Sequence, residues 1–261
     1  MLRTPVTVDL ADFPDVFRPL LENAPVFDSS CSRIARVWLI DRDGGLYLKR
    51  APRGTLAKEA AMTRFFCSKG LGAQVLAYES LDYDWLLTSR VSGEDCILPA
   101  YMEQPQRLCD LTAQLLRMLH ETDPIGCPVP NRTGEYLATA RKNYLAGAYD
   151  ASLFPDNWGY NSAEEAWHVL ESQGHLLQTD TLLHGDYCFP NILLDNWRFS
   201  GFIDVGGGGV GDRHIDLFWG TWSLQFNLKT NAYRERFLDV YGRELVEEEK
   251  FRIIAAAEVF G

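Results

Sequence analysis

The sequence predicts an α+β chain in two lobes, a small β-rich N-terminal lobe and a larger helical C-terminal lobe. Three observations carry that expectation. Residues 33–91 hold aliphatic, aromatic and β-branched runs of strand length around one stretch of helical period. After Gly93 the pattern changes to long helical repeats. With 261 residues, 46% hydrophobic and 12% aromatic, the chain is long enough for one large domain or two lobes and rich enough for a packed core. The lobes are expected at 1–92 and 93–261, with a hinge near Ser89 to Gly93.

Residues 1–25 are punctuated by proline, and a short helix starting at Asp12 or Pro14 would carry Val16, Phe17, Leu20 and Leu21. Residues 33–41 and 45–49 read as a β-hairpin around the turn Arg42-Asp43-Gly44-Gly45. Residues 54–69 place Leu56, Ala60, Met62, Phe65 and Phe66 on one helical face, and Gly70 and Gly72 end that helix. Strands follow at 74–80 and 83–91. Beyond the hinge, helices are expected at 100–121, 132–149 and 162–177, and three more from Asp212 to the end.

Composition narrows the function. A net charge of −11 disfavours a polyanionic partner such as nucleic acid and suits a polycationic small molecule. No apolar run approaches the roughly 18 residues of a membrane span, and the N-terminus lacks a basic start followed by an apolar stretch, so a cytoplasmic protein with no membrane partner is expected. The six cysteines (Cys31, Cys67, Cys96, Cys109, Cys127, Cys188) form no CxxC pair, so neither a zinc site nor a disulfide framework is indicated.

The chemistry concentrates in residues 184–204, HGDYCFPNILLDNWRFSGFID. Asp186 and Asn191 stand five apart, the step at which a kinase catalytic loop places the acid that accepts a hydroxyl proton and the amide that holds magnesium. Asp204 opens an Asp-Val-Gly triplet where a kinase carries Asp-Phe-Gly. Two short strands around a turn at 195–198 would bring Asn191 and Asp204 together, where Mg2+ could be clamped. Any one of the three alone reads as an ordinary loop residue. In this order, with two apolar strands behind them, they read as a phosphoryl-transfer site. Upstream, Lys49 ends a strand and Glu59 lies ten residues on in the next helix, the lysine and glutamate that position phosphates in a kinase.

The wording HGD, PN, FSGFID and GxGDRxxD resembles the core pattern of the bacterial aminoglycoside 3'-phosphotransferases, antibiotic-resistance kinases with a two-lobed protein-kinase-like fold. The resemblance covers most of the chain and is strongest over 181–216. It implies that ATP or GTP, with Mg2+, donates its γ-phosphoryl to a hydroxyl, the 3' one, of a cationic aminoglycoside, conferring resistance. It implies backbone contacts of Ser89 and Val91 with the base, and a stacking role for Trp38, which by pattern alone fits a core residue equally well. It gives the serine-rich turn 28–32, with Ser30, to phosphate. On the acceptor side it points to Asp156 before Asn157-Trp158, to Glu258, and to the carboxylate after Phe260. The chain departs from the pattern with Ala257 in place of aspartate, Gly207 in place of arginine, and Gly261 as one extra terminal residue. The alternative is a kinase of the same fold acting on another small metabolite, such as an amino alcohol or a sugar. A dinucleotide fingerprint at Gly206, Gly208 and Gly211 comes late and lacks the second strand of a βαβ unit.

Overall fold

Strand alternation organises the first of two compact units into which the chain divides, residues 1–98 with 190–206. The computed structural model describes residues 3–32, 34–150 and 158–261. Strands β1 (Thr4–Pro5), β2 (Val26–Asp28), β3 (Arg36–Ile40), β4 (Leu46–Pro52), β5 (Val75–Ser80) and β6 (Tyr83–Ser89) form an antiparallel sheet in the order β1-β2-β3-β4-β6-β5. Successive residues of a strand point to opposite faces. On one face Trp38, Ile40, Leu46, Leu48, Trp85 and Leu87 pack with Phe13, Phe17 and Leu21, the last belonging to α1 (Arg18–Leu21). On the other, Ala51 and Leu86 meet Leu56 and Ala60, which open α2 (Ala57–Ser68). Burying a side chain such as Leu48 fully stabilises by about 1.5–3 kcal/mol.

Helix α2 has no side-chain cap at its own N-cap residue, and the sheet supplies one instead. Buried Asp84 of β6 accepts the Leu56 amide at 2.9 Å and the Ser80 hydroxyl at 2.7 Å. Burial pushes the Asp84 carboxyl up, but these donors and the Gly54 amide hold it below its ordinary value. The start of α2, and with it Glu59 in the first turn, is thereby tied to the strand beside β4.

A second sheet in this unit has the order β10-β9-β7, from β7 (Glu94–Asp95), β9 (Ile192–Asp195) and β10 (Arg198–Phe202). The β9–β10 turn holds Asn196 and Trp197 at φ 50° and 66°, the left-handed pair that matches strand twist in a tight hairpin. This sheet explains a difference from the sequence expectation, which ended the first lobe at 92 and placed 190–206 in the second. Glu94 and Asp95 pair with β9, the Phe202 amide donates to Leu71 O at 2.7 Å, and Phe66 meets Phe202 edge-on, so 93–98 and 190–206 belong with the first unit. Gly93 makes the pairing possible: at φ +87°, a Cβ there would lie 2.2 Å from Leu194 O.

The second unit, 99–189 with 207–261, is mainly helical. It contains α3 (Pro99–Met102), α4 (Pro105–His120), α5 (Arg132–Leu145), α6 (Ala163–Gln173), α7 (His214–Leu228), α8 (Arg234–Gly242) and α9 (Glu248–Glu258), with β8 (Thr181–Leu183) antiparallel to β11 (Gly209–Gly211). The single helix expected over 100–121 is two. Pro105, which lacks an amide hydrogen and restricts the residue before it, begins a new helix instead of continuing α3. Helix α6 opens on the N-cap Ser162, whose Oγ accepts the Glu165 amide at 3.2 Å, while Glu165 Oε2 reaches back to the Asn161 amide at 3.0 Å. Its expected last turn is a 3-10 turn at Gly174–Leu176. Ile215, Ile253, Ile254 and Phe260 lie in the core that α5, α6, α7 and α9 share.

Candidate active site

In the first unit Lys49 sits on the α2 face of the sheet. Its Nζ lies 2.8 Å from both oxygens of Glu59 and 3.0 Å from Asp204 Oδ1. Burial disfavours the ammonium, but Asp204 and Glu59 outweigh it and raise the Lys49 pKa. One cation between two carboxylates leaves an excess negative charge, carried on the side where Asp204 is still about half exposed. Asp204 is held at φ 58°, a left-handed conformation uncommon for a residue with a side chain. Across the hairpin, the Ile203 amide donates to Asn191 O at 3.1 Å, which places Asn191 opposite the residue before Asp204. The amide oxygen of Asn191 and the carboxylate of Asp204 are hard oxygen donors of the kind Mg2+ takes, and the ion ordinarily fills its remaining positions with water and phosphate oxygens. Among the described residues no cluster of three or more His, Cys, Asp or Glu side chains could hold a metal by itself. These two donors fit a magnesium that takes its other ligands from water and phosphate.

The structure places the four other residues expected at the nucleotide as follows. Trp38 pairs across from Leu48, on the face opposite Lys49, with its ring 4.9 Å from Phe13 and 6.1 Å from Trp85. Partly buried, it packs against the core on that face. Rings that share the lysine's face are Tyr47, two residues before Lys49, which strand alternation alone could have identified, and Tyr78 of β5. Ser30 turns inward: its hydroxyl accepts the Val37 amide at 2.9 Å and its amide donates to Asp28 at 2.8 Å, closing the turn on itself. The Ser89 amide donates to Gln74 O at 2.9 Å, while Val91 lies beyond the end of β6.

In the second unit Asp186 follows β8 on a turn that a buried acid fixes. The His184 and Gly185 amides donate to the two oxygens of Asp216, each at 2.7 Å, and Asp216 is fully buried at the start of α7. Gly185 permits the turn: at φ +82°, a Cβ would lie 1.9 Å from Gly207 O. The Asp186 amide donates to His184 Nδ1 at 3.3 Å, so that nitrogen is the unprotonated one. Behind Asp216, His120 Nε2 lies at 3.2 Å, and His120 Nδ1 lies 2.8 Å from the Tyr241 hydroxyl. Burial lowers the His120 pKa more than Asp216 raises it, so the ring is neutral. Burial, and then the Asp186 charge, push the Cys188 thiol far up, which removes it as a nucleophile.

The acceptor candidates divide. Asp156 lies outside the described residues. Phe260 is fully buried, its ring edge-on to Tyr144, Tyr149 and Trp167, and its carbonyl accepts from Asn143 at 2.7 Å, so it anchors the chain end. Glu258 is only partly buried, at the end of α9. Its Oε1 accepts the Tyr136 hydroxyl at 2.6 Å and the Trp219 indole N–H at 3.0 Å. Burial raises its carboxyl above the ordinary value against those donors and the Arg132 charge, and the Asp186 charge adds to the rise. Arg132 Nε in turn donates to Gly207 O at 2.6 Å. Tyr136 and Trp219 stand 122 and 39 positions from Glu258, separations at which no local pattern links them.

Known proteins share this architecture. A family model described as a phosphotransferase enzyme family matches residues 32–253. A probable aminoglycoside 3'-phosphotransferase of Lactococcus lactis is 44% identical over 256 residues, covering 97% of each chain. An aminoglycoside 3'-phosphotransferase of Streptomyces fradiae is 29% identical over 232 residues, covering 82% of this chain and 85% of its own. Among solved structures, an aminoglycoside-3'-phosphotransferase of type VIII superposes with a TM-score of 0.73 at 25% identity, covering 99% of this chain and 94% of the other. An aminoglycoside phosphotransferase of Streptomyces rimosus, in complex with ADP and streptomycin, superposes with a TM-score of 0.68 at 24% identity, covering 87% and 91%, a likeness of fold.

Proposed function

The chain belongs to the phosphotransferase enzyme family, and from that premise we propose that it moves the γ-phosphoryl of ATP or GTP to the 3' hydroxyl of an aminoglycoside. The observation that carries the proposal is the Lys49–Glu59–Asp204 cluster in a chain that also supplies Asp186 on a fixed turn. Asp186 accepts the proton of the acceptor hydroxyl as its oxygen bonds to the γ-phosphorus. The bond from that phosphorus to the bridging oxygen breaks, and the nucleoside diphosphate leaves. Lys49, held by Glu59, orients the phosphates. Asn191 and Asp204 would hold Mg2+, which when bound supplies neutralisation of phosphate charge. The ligands present in the Streptomyces rimosus relative, ADP and streptomycin, are of the two classes this reaction needs.

The setting follows from charge and hydropathy. No helix among the described residues is long and apolar enough to cross a membrane. A net charge of −11 draws a polycation and repels nucleic acid, and a cytoplasmic location would supply the nucleotide. The test is NMR of the product formed from kanamycin and magnesium ATP. A new phosphate on the 3' oxygen is expected. Phosphate elsewhere on kanamycin would overturn the position, and turnover of choline or a simple sugar with none of kanamycin would favour a metabolite kinase.

A further inference from the structure

We propose that Tyr136 and Trp219 are positioning residues for acceptor recognition: their O–H and N–H converge on one oxygen of Glu258 and fix its carboxylate to receive an ammonium group of the acceptor. The proposal rests on Glu258 being an acceptor-binding carboxylate. A glutamate in the last turn of a helix has no help from the helix itself, because the dipole there disfavours negative charge and three side-chain torsions are otherwise unfixed. Here two donors from two other helices, α5 and α7, meet the same Oε1. The other oxygen, Oε2, faces Gly261, where a Cβ would lie 2.9 Å away, so the terminal glycine keeps that oxygen uncrowded.

Both donors are themselves rigid. The Trp219 ring is edge-on to Trp158 at 6.0 Å, Phe218 at 5.8 Å and Trp222 at 5.4 Å. Tyr136 is buried with the Arg132 guanidinium 5.6 Å over its ring, and Arg132 is bound to Gly207 O. Burial, and then the Glu258 charge, push the Tyr136 phenol well up, so it stays a donor. Gly207 also packs against Gly185, the residue before Asp186, and Glu258 responds to the Asp186 charge. The fixed carboxylate thus lies in the neighbourhood of the proton acceptor, within a single unit of the fold. An ammonium held there would be presented by a site already organised before binding.

The experiment measures steady-state kinetics of Tyr136→Phe, Trp219→Phe and Glu258→Gln with kanamycin and magnesium ATP, from pH 5 to 8, alongside melting curves. Each phenylalanine variant keeps a ring and removes one donor to a charged acceptor. We expect the kanamycin KM to rise about tenfold in each, with kcat and the ATP KM nearly unchanged. The kanamycin KM should rise as pH falls through the Glu258 titration, and that limb should move to higher pH in both variants, because each lost donor disfavours the carboxylate. If Glu258→Gln raises the kanamycin KM while both phenylalanine variants leave it and its pH limb unchanged, the positioning role is overturned and Glu258 remains a binding group. If Glu258→Gln leaves the kanamycin KM unchanged, Glu258 is not a binding group and the proposal falls with it. A fall in melting temperature with parallel changes in both KM values would assign the two bonds to holding α9 in place, and would also overturn it.

Discussion

The carboxylates proposed as functional are held by different means in the two units. In the first, Asp204 is held by charge, against an ammonium that Glu59 shares. In the second, the Asp186 turn is tied by two neutral backbone amides to Asp216, and Glu258 by a phenol and an indole. Charge pairs at a partly exposed site exchange partners readily, which suits the role proposed for this cluster, admitting phosphates and a divalent ion. Hydrogen bonds from rigid, buried donors do not exchange readily, which suits the roles proposed for Asp186 as the base and Glu258 as an acceptor-binding carboxylate, both in place before substrate arrives. The contrast predicts that substitutions in the first unit act through ions and those in the second through geometry.

The largest effect should come from Asp204→Ala, which is expected to abolish activity and to weaken nucleotide binding mainly when magnesium is present. Calorimetry with and without magnesium checks it, and equal weakening in both would place the residue's action outside the ion. Asp186→Asn should lower kcat by about 10² to 10⁴ while nucleotide affinity stays near normal. Near-normal turnover in the folded variant would break the assignment of the base.

Asp216→Ala tests the geometric side. It leaves the buried His184 amide and the part-buried Gly185 amide without their acceptor, at up to about 1–3 kcal/mol each. Urea unfolding should show a stability loss of about 2–6 kcal/mol, together with reduced kcat. A stable variant with wild-type kcat would mean that the turn carrying Asp186 holds without the acid.

The smallest effect is a pH dependence next to the same helix. Asp212 is buried, and although burial pushes its carboxyl up, bonds from His214 and the Gln178 amide bring it down to about 2 from 3.8. A folded pKa below the unfolded one stabilises fully above the unfolded value, and that contribution is lost as pH falls from 3.8 toward 2. Asp212→Asn should therefore cost about 2 kcal/mol near neutral pH, with the gap from wild type closing in acid. Urea midpoints at neutral pH and near pH 2.5 measure it, and a gap that is constant with pH would remove Asp212 as its source.

What the sequence determined by itself is what local periodicity and turn chemistry encode. The β-branched, aromatic and aliphatic runs at 33–41 and 45–49 around the turn 42–45 read as a hairpin, which β3 and β4 form, and the apolar face of Ala60, Met62, Phe65 and Phe66 read as a helix. The same locality put Asn191 and Asp204 at the two ends of one hairpin, and made Lys49 and Glu59 partners from a strand and the helix after it. Pattern left Trp38 open between a core ring and a stacking ring, and the structure packs it against Phe13 and Trp85. Tertiary structure also decided that 190–206 joins the first unit, that Phe260 is an anchor, that the Ser30 hydroxyl closes its own turn, that Asp216 holds the turn before Asp186, and that Tyr136 and Trp219 donate to Glu258. Each of these depends on contacts between residues far apart in the chain or on which of two partners a polar group meets. A period of 2 or 3.6 says which side of an element is apolar, but only the packed fold determines what lies against it.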